Sequence, residues 1–419
     1  MRLGYFIFDQ PLSSASMIAR FTTKHLSATR DYFAALTGLR AVVAYLVFFY
    51  HCFKTTPTNT LPLLSKWLIR VVQQGHIGVS VFFVLSGFLI TNRYGHSLSL
   101  KGPWFWKYMQ NRFARIYPIY FLLTVLTFVV MIVRPQYDWD EWTPSFTLFD
   151  KVAAILLNLT LTRSYFQDLW LLGVGTAWTL TIEETFYLCA PFLLVGLRRN
   201  RWNFALYPLL FLLTGFLLVA VCQRFLPYYG LMNEDTFMLC RTFFGRCSEF
   251  FVGIALAFWL NRYSGAGRQA VGGCRFTVLG VVGIGACMLA MALNEHHYHA
   301  SIRDFYTVYI GLTNFLLPLP VAALLWGLIH ERSWLRLLLQ TNLFDLLGKS
   351  SYVFYLIHQG VIDDFFGREI SGNILVRLVA YSLLSIGLYT WVEKPLHQRL
   401  RAATRLAPVV ATATVPALS

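Results

Sequence analysis

Long apolar stretches recur along this chain from residue 36 to residue 393, and they constrain its fold more than any other feature. Each stretch has roughly 17 to 25 residues, which is enough for a helix to cross a hydrocarbon core of about 30 Å. The stretches are continuous, whereas the strands of a membrane barrel alternate apolar and polar residues over about ten positions. The sequence therefore predicts an all-α integral membrane protein.

About ten helices are predicted to cross the membrane. Hydrophobic residues make up 57% of the 419 residues and charged residues only 13%, where soluble domains carry about 25% charge. The segments between the spans are too short for a sizeable water-soluble domain. The predicted spans are residues 36–53, 76–92, 117–133, 176–197, 203–222, 242–260, 276–293, 306–329, 350–366 and 372–392.

The distribution of basic residues predicts the orientation of these spans. With the N-terminus in the cytoplasm, the inner segments hold 22 Lys and Arg and the outer segments hold 10. Cytoplasmic loops of membrane proteins carry such an excess of Lys and Arg, so both termini are predicted to be cytoplasmic. The net charge of +15 is thereby explained by topology, and no nucleic-acid partner is expected.

A single transmembrane domain is predicted over residues 31–400. Residues 1–30 lack the long apolar core of a signal peptide and are expected to be a cytoplasmic extension. Residues 401–419, rich in Ala, Thr and Pro, are expected to be a disordered cytoplasmic tail. The seven Cys show neither a CxxC motif nor a framework spacing, so buried thiols are expected rather than disulfides or a metal site.

Several ionisable residues lie inside or beside the predicted spans, where each charged group costs at least about 2.5 kcal/mol at the bilayer centre. Arg40 and His51 are eleven residues apart on the first span, so they share one helix face about 16 Å apart. Arg40 fits either a snorkelling residue near the helix end or a functional cation. His51 fits either a hydrogen-bonded core histidine or a functional one.

Two further arginines precede the third span. Arg112 and Arg115 are three residues apart and therefore neighbours on a helix surface. They fit a positive-inside anchor, or a pair of guanidinium groups that grip one polyanion. With Arg40 they place three cations towards the cytoplasm, which suits an acidic cytosolic cosubstrate with phosphates.

Adjacent carboxylates inside the fourth span are hard to explain by packing alone. Glu183 shares a helical stripe with Thr179 and Tyr187, which predicts that it faces a cavity, at roughly the depth of His51. Glu184 points about 100° away from that stripe.

Other polar positions allow more than one interpretation. The small residues between Gly75 and Ile90 are interpreted as helix-packing positions. His358 ends a polar stripe on the ninth span and fits either a proton-transfer group or an interhelix contact. Arg246 and Glu249 are three residues apart and are expected to neutralise each other.

Taken together and in order, these motifs resemble acyltransferase family 3 of membrane-bound O-acyltransferases. The resemblance covers residues 31–395. It rests on Arg40 with ten residues to His51, Phe83-Val84-Leu85-Ser86-Gly87-Phe88-Leu89-Ile90, Arg112-x-x-Arg115, Trp178-Thr179-Leu180-x-x-Glu183-Glu184-x-Phe186-Tyr187, Ser351-Tyr352-x-x-Tyr355-Leu356-x-His358, and Glu393-Lys394-Pro395.

The resemblance implies a ten-helix enzyme of the bacterial inner membrane, surrounded by lipid. Such an enzyme takes an acyl group, usually acetyl, from cytoplasmic acyl-CoA and places it on a hydroxyl, commonly of an envelope glycan or lipid-linked sugar. No metal is implied. Some relatives carry an additional periplasmic domain of the SGNH hydrolase type, which here would be a separate partner protein.

The roles expected from this resemblance follow its motifs. Arg40, Arg112 and Arg115 would hold the CoA phosphates, and His51 would be the base that activates the acceptor hydroxyl. Glu183 would orient His51, as a carboxylate does in serine hydrolases. Glu184 and His358 complete the expected catalytic set. An acyl-histidine intermediate remains open beside direct transfer.

Two alternatives remain open at the level of the sequence. A transporter or flippase of a polar solute would also place charges inside its spans, but such proteins often show related halves, and no two-half symmetry is evident here. Within the acyltransferases, a small metabolite as acceptor or succinyl-CoA as donor would fit the same residues.

Overall fold

The computed structural model describes residues 33–58, 61–137, 142–263, 273–298 and 301–403. Residues 401–403 of the predicted tail 401–419 end the last described helix, whereas its residues 404–419 and the predicted extension 1–30 lie outside these ranges. Within them the chain is helical, and the strand-like pairing is one isolated bridge between Phe166 and Leu231. The prediction of an all-α membrane fold is confirmed.

The first half of the chain forms eight labelled helices. They are α1 (Ala34–Phe53), α2 (Leu63–Val72), α3 (Gly78–Tyr94), α4 (Gly102–Val133), α5 (Leu148–Leu159), α6 (Trp178–Arg199), α7 (Asn203–Phe225) and α8 (Asp235–Arg241), with a single helical turn at Trp142–Ser145.

The second half continues with nine helices and two π-helical turns. The helices are α9 (Phe243–Tyr263), α10 (Arg275–Tyr298), α11 (Ile302–Ile310), α12 (Pro318–His330), α13 (Trp334–Leu339), α14 (Asn342–Ile357), α15 (Val361–Glu369), α16 (Ile374–Leu388) and α17 (Lys394–Ala403), and the π turns are Gly311–Leu316 and Tyr389–Glu393.

Nine helical segments of the described chain are long and apolar enough to cross a membrane. They match nine of the predicted spans. The remaining predicted span, 350–366, is not one continuous helix, because α14 ends at Ile357 and α15 begins at Val361. With this broken helix included, the structure fits the predicted total of about ten crossings.

Gly360 explains why the helix breaks at this point. Its φ of +91° is a backbone conformation that residues with a side chain rarely adopt. The break leaves His358 directly after the last helical residue of α14, rather than in the middle of a span. The position of this histidine at a helix end was not predicted.

The centre of the fold is the crossing of α3 and α9. A Cβ added at Gly87 would lie 2.2 Å from the carbonyl oxygen of Phe250, and one at Gly253 would lie 2.0 Å from that of Val84. The two backbones therefore touch through reciprocal glycines, as small residues permit between membrane helices. The interpretation of the α3 sequence as a packing stretch agrees with this contact.

Helix α4 is longer than the predicted span 117–133. It begins at Gly102 and runs for 32 residues without a break. The aromatic segment 104–108 belongs to the first turns of this helix. Arg112 and Arg115 therefore stand on the same rigid helix that crosses the membrane.

Candidate active site

Three predicted arginines and one predicted glutamate line a single cavity of about 90 Å³. Arg40 comes from α1, Arg112 and Arg115 from α4, and Glu183 from α6. The lining thus carries three guanidinium groups against one carboxylate. Such a site favours an anion with more than one negative charge.

Glu183 is held in this cavity by two hydroxyl groups. The Ser86 hydroxyl donates a hydrogen bond of 2.7 Å to Glu183 Oε1, and the Tyr187 hydroxyl donates one of 3.3 Å to Oε2. Ser86 lies on α3, and Tyr187 lies one turn beyond Glu183 on α6. Both residues also line the cavity.

The two arginines of α4 have different partners. Arg112 donates a 3.2 Å hydrogen bond to the Tyr94 hydroxyl, and its guanidinium lies 5.4 Å from the Tyr94 ring centroid and 5.8 Å from that of Tyr187. Arg115 forms an ion pair of 3.1 Å with Glu393, which ends the π turn and is only 2% exposed. Both guanidinium groups are thereby fixed in place at the cavity wall.

Arg40 is the least engaged of the three arginines. Within the described residues its guanidinium makes neither a hydrogen bond nor an ion pair, although Glu183 and Glu393 lie within electrostatic range. It therefore has N–H groups available to a ligand in the cavity. A snorkelling role alone does not account for a position that lines a polar cavity.

Glu184 lies next to this group without lining the cavity. Its Oε2 atom is buried and makes no hydrogen bond within the described part of the chain. Glu183 and Arg112 are its electrostatic neighbours. Glu183 therefore faces the cavity and Glu184 is turned away from it, as the helical stripe predicted.

The depth of each group in the bundle follows from the residue of α3 that it contacts. Its 17 residues extend about 25 Å, with Tyr94 at one end, Ser86 in the middle, and His76 just before the other end. Arg112 is bonded to Tyr94, so it lies near the first end. Glu183 is bonded to Ser86, so it lies at mid-depth.

The expected pairing of Glu183 with His51 is therefore corrected. Glu183 lies at the depth of Arg40 and bonds Ser86 and Tyr187, whereas His51 lies in the last turn of α1. The reason is that α6 begins below the protein surface. The turn Gly175–Ala177 before it is buried, and Arg163 holds the preceding loop by donating to the carbonyl oxygens of Leu172 and Val174.

His51 instead meets His358, and the two ring centroids are 5.3 Å apart. His358 is fully buried, and its Nδ1 lies 3.3 Å from the Phe354 carbonyl oxygen. The other ring nitrogen of His358, and Nδ1 of His51, are buried without a hydrogen-bond partner in the described residues. We call these two residues the histidine pair.

An aromatic layer lies between the cavity and the histidine pair. We define it as Phe48, Phe82, Phe354 and Tyr355. Phe82 lines the cavity, its ring is 5.8 Å from that of Tyr355, and the Tyr355 ring is 5.5 Å from that of His358. The layer thus connects the two predicted groups, which do not share one pocket.

Several residues of the site were not singled out from the sequence. Ser86 lies in the stretch that was interpreted as packing, and Glu393 was noted only as part of a motif. A hydroxyl in the middle of an apolar helix was the signal that Ser86 needs a polar partner.

Arg246 and Glu249 form the expected ion pair, with N–O distances of 2.9 and 2.7 Å.

Comparison with known proteins agrees with these motifs. A family model described as "Acyltransferase domain" matches residues 33–392. The chain is 26% identical over 405 residues to a Bacillus subtilis protein provisionally named peptidoglycan O-acetyltransferase YrhL, covering 91% of the chain and 57% of that relative. It is 24% identical over 390 residues to O-acetyltransferase OatA of Staphylococcus aureus, covering 88% of the chain and 58% of that relative.

The chain thus spans less than three fifths of the length of these curated relatives. No solved structure matches it. The family match extends over most of the chain and includes every residue of the cavity and of the histidine pair. The chain is a multi-pass membrane protein that belongs to acyltransferase family 3.

Proposed function

We propose that this protein moves an acyl group, most simply acetyl, from cytoplasmic acyl-CoA to a hydroxyl of an envelope glycan. The observation that carries the proposal is the cavity in which three arginines from two distant helices meet. CoA is a polyanion with a long, flexible arm, so its phosphates fit the arginines while the arm extends deeper. Family membership favours this chemistry over transport of a solute.

The orientation predicted from the basic residues implies a side of the membrane for the acyl donor and another for the acceptor. Arg112 and Arg115 then lie on the cytoplasmic side of the bacterial inner membrane, where acyl-CoA is found. The histidine pair lies towards the outside, where an envelope glycan is accessible. The thioester would meet the acceptor at the aromatic layer.

The transfer itself is a nucleophilic substitution at the thioester carbon. The acceptor hydroxyl oxygen attacks this carbon, His51 takes the hydroxyl proton, and the carbon–sulfur bond breaks to release the CoA thiolate. The proton then passes from His51 to the thiolate. General-base catalysis of this kind contributes about 10²- to 10⁴-fold in rate.

Donor binding is tested with purified protein and labelled acetyl-CoA. Arg112→Ala is expected to raise the Kd for acetyl-CoA at least tenfold, because a hydrogen bond to a charged group contributes about 1.5–3 kcal/mol. Lys107→Ala is the matched control, since Lys107 is exposed on the same helix and does not line the cavity. Equal Kd values for the two variants would rule out the phosphate-binding role.

The transfer step is tested in membranes of a deletion strain that expresses each variant. His51→Ala is expected to lower the transfer of labelled acetyl from acetyl-CoA to glycan at least 100-fold, with acetyl-CoA binding retained. His96→Ala is the control, because His96 is exposed at the opposite end of α3. Near-normal transfer by the folded His51→Ala protein would refute the assignment.

A further inference from the structure

A further arginine, Arg241, lies near the histidine pair and does not line the cavity. Arg241 is the last residue of α8, and its guanidinium carbon is 4.2 Å from the Trp170 ring centroid and 4.6 Å from that of Trp178. The two indole rings are 6.0 Å apart at 73° to each other. The Ser164 hydroxyl bonds the Arg241 carbonyl oxygen and fixes the backbone at this point.

No carboxylate among the described residues pairs with Arg241. Its guanidinium makes neither a hydrogen bond nor an ion pair among the described residues, and its contacts are the two indole rings. Three other arginines of the bundle do have carboxylate partners: Arg115 pairs with Glu393, Arg246 with Glu249, and Arg377 with Asp363. A guanidinium positioned by aromatic rings, with its N–H groups unused, is suited to bind a planar or tetrahedral anion.

Arg241 also acts on the proposed base. It lies within electrostatic range of His51 and of His76. His51 lies within electrostatic range of His358, Lys54, His76 and Arg241, and none of these four groups is a carboxylate. When His51 takes a proton, the new positive charge therefore meets a neighbourhood that opposes it. An anion bound at Arg241 would offset this repulsion.

We propose that the acceptor glycan carries an anionic group, a carboxylate or a phosphate, that binds Arg241 between Trp170 and Trp178. The anion positions the hydroxyl at His51 and supplies the negative charge that the histidine pair lacks. The indole rings add faces on which a sugar ring packs. This inference rests on the proposed acyl transfer and specifies the acceptor class for it.

The test uses purified enzyme in liposomes, labelled acetyl-CoA, and envelope glycan from a deletion strain. The glycan is supplied untreated, with its carboxylates converted to amides, or with its phosphates removed. For the wild type, one of the two treatments is expected to lower acetylation at least tenfold, and the effective treatment identifies the anion. If neither treatment changes the rate more than twofold, the inference is overturned.

Variants of Arg241 connect this effect to the residue. Arg241→Gln is expected to acetylate untreated glycan at least tenfold more slowly and to lose the difference between treated and untreated glycan, with the acetyl-CoA Kd unchanged. Arg241→Lys keeps the charge and should retain the preference for anionic glycan. Arg224→Gln, at an exposed arginine near the end of α7, is the matched control.

The outcomes separate the two proposals. A wild-type rate for Arg241→Gln overturns the assignment of the anion to Arg241. An Arg241→Gln protein that no longer binds acetyl-CoA would indicate misfolding. Arg241→Met, which keeps an unbranched apolar side chain against the indole rings, then decides. If that variant binds acetyl-CoA and acetylates untreated glycan at the wild-type rate, the assignment is overturned. Absence of any transfer from the wild type to untreated glycan overturns the proposed acyl transfer itself.

Discussion

At the scale of single residues, the buried charges of this protein differ in what balances them. Arg246 and Glu249 neutralise each other with two short hydrogen bonds, and Ser80 takes a third donor from Arg246. Arg40 and Arg241 have no such partner within the described residues. The Arg246–Glu249 pair is therefore satisfied within the bundle. Arg40 lies beside the cavity and Arg241 beside the histidine pair, and each lacks a counter-ion in the described part of the chain.

The Arg246–Glu249 pair gives a prediction about stability. Glu249→Gln should lower the free energy of unfolding by about 3 kcal/mol, because it leaves the Arg246 charge buried without its counter-ion. The double variant Arg246→Met with Glu249→Leu should recover most of this loss, since it buries no charge. Thermal unfolding in detergent measures both. A double variant as unstable as Glu249→Gln would contradict the explanation.

Glu183 gives a prediction about donor binding. Glu183→Gln should lower the Kd for acetyl-CoA severalfold, because it removes the only carboxylate among the described residues that line the cavity. Its loss increases the attraction of the cavity for phosphates. His51→Gln should leave this Kd unchanged, since His51 lies outside the cavity. Isothermal titration of both variants tests the separation of the two groups. Equal changes in Kd would indicate one shared site.

At the scale of helices, sequence patterns predicted which face a residue occupies better than its depth. The stripe of Thr179, Glu183 and Tyr187 does turn Glu183 towards the cavity. Its depth depends on where α6 begins, and that is set by a buried loop whose fold depends on Arg163. Hydropathy contains no signal for such a tertiary contact. The helix break at Gly360 was likewise not predicted, because it lies within an apolar run, although the sequence has a glycine two residues after His358.

The α3–α9 crossing gives a prediction about helix packing. Gly87→Ala should lower the melting temperature of the purified protein by several degrees, because its new methyl group would meet the Phe250 backbone, which cannot move without separating the helices. Gly285→Ala is the control, since no atom lies within 4 Å of its Cβ position in α10. That control should be neutral or stabilising, as Ala favours helices by about 1 kcal/mol over Gly. Equal melting temperatures for both variants would refute close packing at Gly87.

At the scale of the whole molecule, the length and continuity of the apolar stretches were enough to predict a multi-pass helical bundle. The apolar runs exceed what any soluble core requires, and nine of them form helices of membrane length in the described chain. The grouping of Arg40, Arg112, Arg115 and Glu183 needed the fold, because these residues come from three separate helices. The family motifs predicted the site residues, but they did not show that the glutamate and the histidine lie apart.

The orientation of the bundle remains a prediction from the basic residues. Fluorescent protein fused after Ser419 should be fluorescent in cells, because it folds in the cytoplasm, and alkaline phosphatase fused there should be inactive. The same two reporters inserted after Leu226, between α7 and α8, should show the opposite behaviour. Activity of alkaline phosphatase at the C-terminus would reverse the proposed sides for donor and acceptor.

The aromatic layer between the cavity and the histidine pair has a consequence for the energy supply of a cell. If the polar groups near the two membrane faces formed a continuous path, protons would cross the protein and discharge the membrane potential. Phe48 and Phe354 are buried almost completely, and with Phe82 and Tyr355 they place apolar rings between the two polar regions. We expect this layer to act as an electrical insulator, so that the proposed reaction between the two sides of the membrane proceeds without a proton leak.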